Sequence, residues 1–176
     1  MCKNETLKAK IVEYNEAWIN TQTLYKTISS KFKDRHVPYP EPLQKLIVTT
    51  YCDWGLEEES GVFKKKIDFV ISGTNTLVEM KSTTCLDGAV HLTEVQADKA
   101  DQLIWFFADA NVGKITIKKI EIKTNDQRAL LKKLYKSKSH DVADIFTRYK
   151  QAQDPIDVIC FDMKTMKKID PTKKDD

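Results

Sequence analysis

The sequence has few of the residues that bind zinc or form cross-links. It contains 4 Cys and 3 His in 176 residues. Cys2, Cys52, Cys85 and Cys160 are far apart and form no Cys-x-x-Cys pair, and the histidines are equally scattered. This spacing excludes the usual structural zinc sites. We therefore expect reduced thiols, with Cys52 and Cys160 in the core.

Phosphate-binding glycine loops and long apolar runs are also missing. The 5 glycines form no Walker-type loop, so no nucleotide cofactor is expected. No apolar run is long enough to span a bilayer, and the first five residues lack the apolar block of a secretory signal. The sequence also has no internal repeat and no Ser/His/Asp spacing. We expect one cytoplasmic domain over residues 1–176, with no membrane partner.

The charge is small overall but unevenly distributed. The formal net charge is +3, yet residues 113–176 contain 16 Lys and Arg against 10 Asp and Glu, and the preceding residues contain 13 against 16. Basic groups attract phosphates, and carboxylates bind cations. The pattern suits a protein that attracts phosphates with one part and binds a cation with the other, although lysine-rich helices can equally serve only to keep a chain in solution.

Residues 66–81 predict two short strands joined by a tight turn. Phe69–Ile71 and Thr76–Val78 are rich in strand-forming residues. Between them, Gly73 and Asn75 are able to adopt the positive φ angles that tight turns require. The pattern indicates an antiparallel hairpin.

Three charged residues belong to this hairpin. Side chains alternate between the two faces of a strand, so Glu79 and Lys81 share one face while Val78 and Met80 point into the core. Asp68 is flanked by apolar residues and lies on the face opposite to them. An antiparallel pairing therefore brings Asp68, Glu79 and Lys81 together at one end of the hairpin.

These are the groups that metal-assisted phosphodiester hydrolysis requires. Two carboxylates supply hard oxygen ligands for Mg²⁺, which keeps several waters and binds substrate phosphate. The metal acidifies a water molecule, and a lysine beside it orients that water and offsets charge on the phosphorus. The alternative is a surface hairpin with a salt bridge between Glu79 and Lys81.

Asp68 followed by Glu79-Met80-Lys81 after an apolar strand resembles the signature of the PD-(D/E)xK nucleases. This superfamily includes most type II restriction endonucleases, Holliday-junction resolvases and several repair nucleases. Ile67 stands where the family pattern has proline. The resemblance implies a restriction-endonuclease-like α/β (α+β) fold, with a mixed central sheet of about five strands flanked by helices. It also implies that Asp68 and Glu79 bind Mg²⁺ and that Lys81 positions or activates the attacking water.

The resemblance further implies a small type II restriction endonuclease that cuts double-stranded DNA at a specific sequence. A palindromic site needs a two-fold enzyme, so a homodimer is expected. The resemblance also implies a short GC-rich site of the GCNGC kind, an expectation that no residue of the sequence derives. Two alternatives remain open: a Holliday-junction resolvase or repair nuclease of the same superfamily, and a non-catalytic nucleic-acid-binding protein.

Other residues are candidates through their place relative to the hairpin. A helix predicted over residues 41–54 precedes it, and members of the resembled family often carry a further metal ligand there. Glu41 is that candidate, with Gln44 as the second choice. After the hairpin, Thr93 is a reasonable helix N-cap. The candidate DNA contacts are Lys64, Lys65, Lys66, Ser82, Thr83, Gln96, Lys99, Arg128, Lys132 and Lys133.

The N-terminal region, residues 1–35, predicts a helix over residues 4–30 with a coiled-coil-like apolar seam. The helix either packs on its own core or forms a dimer contact, and a linker follows over residues 31–40. The seam consists of Leu7, Ile11, Tyr14, Trp18, Thr21, Tyr25 and Ile28.

Residues 41–123 form the predicted catalytic core, and residues 124–176 a basic helical region. The core should contain a buried strand over residues 102–108 and a half-exposed strand over residues 114–123, with a bulge at Lys118-Lys119. In the basic region, Asn125 and Asp126 should cap a helix that carries basic residues up to Lys138. A helix over residues 140–153 and a short strand over residues 156–161 follow, and the tail from Lys164 should fray.

Overall fold

The computed structural model describes residues 3–28, 37–64, 66–83, 92–136, 146 and 156–172. These residues form helices and strands of an α+β protein. The helices are α1 Lys3–Ile28, α2 Glu41–Tyr51, α3 Glu94–Lys99 and α4 Asn125–Lys136. The strands are β1 Leu56–Glu58, β2 Phe69–Ile71, β3 Leu77–Thr83, β4 Gln102–Asp109, β5 Lys114–Glu121, β6 Ile156–Asp162 and β7 Lys168–Ile169.

Within the described residues, seven strands form one mixed sheet in the order β1-β2-β3-β4-β5-β6-β7. Neighbouring strands are antiparallel except for β3 and β4, which are parallel. A parallel pair needs a crossover connection, and α3 lies in the segment that connects these two strands. The predicted mixed sheet with helices is therefore present, with more strands than expected.

Apolar clusters cover both faces of the sheet. On one face, Phe106 and Val78 belong to a cluster that also contains Ile11 of α1 and Ile47 of α2. On the other face, Trp105 belongs to a cluster with residues of α3 and α4. Strand β4 contributes to both clusters, which explains its continuous apolar sequence. Strand β4 therefore lies between two apolar layers, one on each face of the sheet.

Strand β5 is regular, so the predicted bulge at Lys118-Lys119 is wrong. Its residues pair one-to-one with β4 along the whole strand. Ile117 belongs to one core cluster and Ile120 to the other. The break in the apolar alternation marks a change of the buried face and not an extra residue. On the α4 side, the Nζ atom of Lys118 lies 4.5 Å from the ring centroid of Trp105.

Helix α1 is present as predicted, but only part of the predicted seam is buried: Ile11 and Trp18 lie in the core, whereas other members of the seam are exposed. Thr21 is exposed, with its hydroxyl donating to the carbonyl of Ala17 at 2.8 Å, and Ile28 is exposed as well. The seam was inferred from apolar residues alone, whereas two polar side chains are buried with hydrogen bonds. The buried residues of this face are Ile11, Asn15, Trp18 and Gln22.

The N-cap of helix α4 lies one residue before the predicted caps. The Oγ1 atom of Thr124 accepts a hydrogen bond from the backbone of Gln127 at 3.2 Å, and Gln127 Oε1 accepts one from the backbone of Thr124 at 2.9 Å. This reciprocal pair is a capping box, so Thr124 performs the role expected of Asn125 and Asp126. The helix predicted over residues 140–153 lies outside the described residues, apart from the helical and buried Phe146.

The C-terminal tail is ordered further than expected. Strand β6 is followed by a turn and by β7, which pairs with β6. Met163 and Met166 are buried in the core, so the predicted fraying from Lys164 is wrong for residues 164–172. Apolar anchors spaced three residues apart hold this turn against the sheet.

Two further expectations concern the cysteines and the membrane. Cys52 and Cys160 are buried free thiols, as predicted, and burial raises the pKa of Cys52 to about 12. Cys2 and Cys85 lie outside the described residues. In the ranges that the structure describes, no helix combines the length and the apolar character that crossing a membrane requires.

Candidate active site

The predicted hairpin is present, and it opens at one end. Strands β2 and β3 are paired at only two positions, Phe69 with Val78 and Val70 with Leu77, while β3 continues to Thr83. At the opening, the Oδ2 atom of Asp68 accepts a hydrogen bond from the backbone N–H of Met80 at 2.9 Å. The carboxylate of Asp68 thus satisfies a strand N–H that β2 no longer reaches, which fixes it beside β3.

Glu79 is the most unusual residue of this strand because its carboxylate is buried. The residue is 2% exposed. Its Oε1 atom accepts hydrogen bonds from Lys81 Nζ and from Gln96 Nε2, both at 2.6 Å. Its Oε2 atom is buried and has no donor among the described residues. Because buried polar atoms are almost always paired, an unpaired oxygen at this place suggests that it accepts a ligand.

Burial sets the protonation state of Glu79. It raises the pKa of the carboxyl to about 8, against the effect of the Lys81 ammonium, which lowers it, while the nearby carboxylate of Asp68 raises it further. Without a bound cation, much of Glu79 is therefore protonated at neutral pH. A cation beside it would favour the charged form.

One cavity of about 350 Å³ brings the three predicted catalytic residues together. Asp68, Glu79 and Lys81 all line it. Because Lys81 and Glu79 are two residues apart on β3, they project from the same face, as the alternation of the strand predicts. The remaining lining residues are Glu41 and Gln44 of α2, Met80 and Ser82 of β3, and Gln96 of α3.

Helix α2 contributes a lysine that the sequence analysis did not identify. Lys45 Nζ lies 2.9 Å from Asp68 Oδ1 and 3.0 Å from Glu41 Oε1. Burial lowers the pKa of Lys45, but its hydrogen bonds to Asp68 and Glu41 outweigh this effect and raise the pKa overall. The i, i+4 spacing from Glu41 on a predicted helix was the available signal. The contact with Asp68 depends on tertiary structure.

Gln96 reaches Glu79 because of how α3 begins. Thr93 Oγ1 accepts from the backbone of Gln96, and Gln96 Oε1 accepts from the backbone of Thr93 at 2.8 Å. This capping box fixes the orientation of the amide and directs Nε2 at the carboxylate of Glu79. In this structure Gln96 donates to Glu79, and its expected contact with DNA stays a prediction.

Several other candidate DNA contacts are paired with protein groups outside this cavity. Lys132 and Lys99 lie 2.6 and 3.4 Å from the two carboxylate oxygens of Asp98. Arg128 donates to the carbonyl of Ala100, at the junction between α3 and β4. These side chains already have partners, so contacts to DNA would compete with the pairs that the structure contains.

The remaining candidates differ in their surroundings. Ser82 is exposed at the cavity, and Thr83 Oγ1 accepts a hydrogen bond from Trp105 Nε1 at 3.0 Å. The other exposed candidates are Lys64, Lys66 and Lys133, while Lys65 and the side chains of Lys136 and Lys138 lie outside the described residues. Their roles in DNA binding remain predictions.

The carboxylates of the cavity suit a hydrated cation. In the described part of the chain, no three His, Cys, Asp or Glu residues form a group able to hold a metal ion, so Glu41 does not complete such a group with Asp68 and Glu79. Mg²⁺ usually uses only one or two carboxylates and keeps waters and substrate phosphates as its other ligands. Asp68 and Glu79, with an unpaired buried oxygen on Glu79, fit that requirement.

No protein-family model, no curated protein and no solved structure matches this chain. The resemblance to the PD-(D/E)xK signature therefore depends on the hairpin residues alone.

Proposed function

We propose that this chain is a Mg²⁺-dependent endonuclease of the PD-(D/E)xK type, with a restriction-endonuclease-like fold, that hydrolyses phosphodiester bonds in double-stranded DNA. The observation that carries the proposal is the convergence of Asp68, Glu79 and Lys81 on one cavity, where one buried oxygen of Glu79 has no partner among the described residues. Two carboxylates and an ammonium group at one point are the minimum that this chemistry requires.

Each residue has a role that follows from its contacts. Asp68 and Glu79 would hold Mg²⁺, which when bound acidifies a water molecule and offsets negative charge on the phosphate. Lys81 Nζ, held at Glu79, orients the attacking water and stabilises the charge that develops on the phosphorus oxygens. Gln96 keeps the carboxylate of Glu79 in place through the hydrogen bond to Oε1.

Duplex DNA is the substrate that the charge pattern supports. The net charge of +3 includes an excess of basic residues from position 113 onwards, which attracts the phosphate backbone. A type II restriction endonuclease that acts as a cytoplasmic homodimer is the finer form of the proposal. The GCNGC kind of site remains a prediction from the resemblance.

The test is digestion of a mapped plasmid with the purified protein and Mg²⁺, followed by sequencing of the fragment ends. Discrete fragments that share one sequence at every end support a restriction endonuclease. Cleavage of branched duplexes alone would indicate a junction resolvase with the same chemistry. Binding of DNA without cleavage at any Mg²⁺ concentration would contradict the proposal in favour of a non-catalytic binding protein.

A further inference from the structure

The ammonium group of Lys45 contacts two carboxylates of the candidate site. It lies between Glu41 of the same helix and Asp68 at the opening of the hairpin, 3.0 and 2.9 Å from their oxygens. The side chains of Lys45 and Asp68 are only 22% and 19% exposed. Their interaction is therefore screened less than that of a surface pair.

Both oxygens of Asp68 are already engaged. Oδ2 accepts from the backbone of Met80 and Oδ1 from Lys45. The hydrogen bond to Met80 fixes the carboxylate to the strand, whereas Lys45 has a long side chain with several rotatable bonds. Lys45 is thus the partner that Asp68 can exchange, and Oδ1 is the oxygen that becomes available.

The charges around the cavity favour the replacement of Lys45 by a divalent cation as the partner of Asp68. The carboxylates of Glu41 and Asp68 share the ammonium group of Lys45, and Glu79 contacts that of Lys81. While Lys45 remains in place, its positive charge contacts Asp68 and repels a divalent ion that enters the cavity. Without that ammonium group, the negative charge of Asp68 is no longer offset, which strengthens a site for Mg²⁺. Glu79, whose buried Oε2 atom has no hydrogen-bond partner among the described residues, lines the same cavity.

We propose that Lys45 is an internal counter-cation that holds Asp68 and Glu41 in the metal-free protein and competes with the divalent ion for Asp68. This inference rests on the proposed function and describes how that site is regulated. The released ammonium group pairs with an anion such as a substrate phosphate, so that binding of the metal and binding of phosphate favour each other. Metal affinity in the absence of DNA is consequently low.

The experiment measures binding of Mn²⁺ to the full chain without DNA, by electron paramagnetic resonance of the free ion. The variants are Lys45→Met, which removes the charge, and Lys45→Arg, which keeps it. Lys10→Met is the matched control because Lys10 forms an exposed ion pair with Glu13 on α1, at 2.7 Å. Glu79→Gln removes a proposed ligand. Thermal unfolding shows which variants fold, and Lys45→Gln replaces Lys45→Met if the latter does not.

We expect Lys45→Met to bind Mn²⁺ about tenfold more tightly than the wild type, or better, because a neighbouring positive charge is removed. Lys45→Arg and Lys10→Met should bind like the wild type, and Glu79→Gln more weakly. A folded Lys45→Met protein with unchanged or weaker Mn²⁺ binding overturns the role of Lys45, although the metal site itself stands if Glu79→Gln still weakens binding. If neither the wild type nor Lys45→Met binds Mn²⁺, the proposed metal site itself is wrong.

Discussion

Glu79 joins three features that are rarely found in one side chain: burial, an ion pair and an unpaired oxygen. The ion pair with Lys81 and the hydrogen bond from Gln96 use one oxygen only, and the other oxygen is buried without a donor among the described residues. A buried charge that lacks full compensation lowers stability. Such a residue is expected where function, and not stability, decides the sequence.

The first prediction concerns the pH dependence of stability. The pKa of Glu79 is about 8 in the folded protein, against an ordinary value of 4.5. Because the folded pKa is raised, the unfolded chain loses this proton first, and the free energy of unfolding of the metal-free protein should fall as the pH rises from about 4.5 to about 8. Glu79→Gln should abolish this decline and raise the free energy of unfolding by about 1–2 kcal/mol at pH 8.

Urea unfolding in the presence of a chelator, at pH 5 and pH 8, measures this effect. The matched control is Glu13→Gln, which removes an exposed carboxylate and should leave the pH dependence unchanged. A Glu79→Gln protein that is less stable than the wild type at pH 8 would contradict the account, since the carboxylate would then be well compensated in the metal-free protein.

At the residue scale, the alternation of a strand was enough to group Asp68, Glu79 and Lys81, because each lies on or beside the same short hairpin. Lys45 and the support from Gln96 could not be predicted in the same way. Their contacts with Asp68 and Glu79 join residues that are 23 and 17 positions apart, on different elements. Such pairs depend on how helices pack on a sheet, which no local pattern specifies.

At the element scale, the start of α3 links helix capping to the candidate site. Thr93→Ala and Gln96→Ala each remove half of the capping box, and each should cost about 1 kcal/mol of stability. Only Gln96→Ala also removes the hydrogen bond to Glu79. We expect Gln96→Ala to reduce the rate of Mg²⁺-dependent cleavage by about tenfold or more, whereas Thr93→Ala changes it little.

Urea unfolding and cleavage rates on the same DNA separate the two effects. Equal losses of activity in Thr93→Ala and Gln96→Ala would mean that the cleavage rate depends on the helix cap and not on the contact between Gln96 and Glu79.

Strand β5 provides a second prediction at this scale. Ile117 and Ile120 are fully buried on opposite faces of the sheet, so Ile117→Val and Ile120→Val should each lower the free energy of unfolding by about 1 kcal/mol. If only one face of β5 were covered, only one of the two substitutions would lower the free energy of unfolding. Chemical denaturation of both variants distinguishes these outcomes, and a negligible effect at either position would contradict the two-layer arrangement.

Within the described residues, the periodicity of the sequence located most strands and the helices correctly. The periodicity gave wrong predictions where the pattern of apolar residues did not show which side chains are buried. The break in β5 was interpreted as a bulge because only one face was assumed to be covered. The turn after β6 was assigned to a fraying tail because its anchors, Met163 and Met166, are isolated among charged residues.

At the scale of the whole molecule, a buried polar network joins segments that are distant in sequence. Tyr39 Oη donates to Asn15 Oδ1 at 2.5 Å, and Asn15 Nδ2 donates to the carbonyl of Met163 at 2.8 Å. Gln44, which lines the candidate active site, donates to the carbonyl of Tyr39. The network therefore connects α1, the start of α2 and the C-terminal turn, and it holds α2 beside the cavity.

Removal of one hydroxyl tests this network. Tyr39→Phe leaves Asn15 Oδ1 without its donor and should cost about 1–2 kcal/mol in the free energy of unfolding. Tyr51→Phe is the matched control, because the hydroxyl of Tyr51 is buried without a hydrogen-bond partner in the described residues, and its removal should be neutral or stabilising. Equal effects of the two changes would show that the bond between Tyr39 and Asn15 contributes nothing.

The central claim is that Asp68, Glu79 and Lys81 act together in Mg²⁺-dependent hydrolysis. The most direct measurement is the single-turnover rate of plasmid cleavage by the wild type and by Lys81→Met, with DNA binding measured separately without Mg²⁺ and with Lys10→Met as the control. We predict that Lys81→Met binds DNA as the wild type does but cleaves it at least about 100-fold more slowly. Cleavage by Lys81→Met at the wild-type rate would contradict the account.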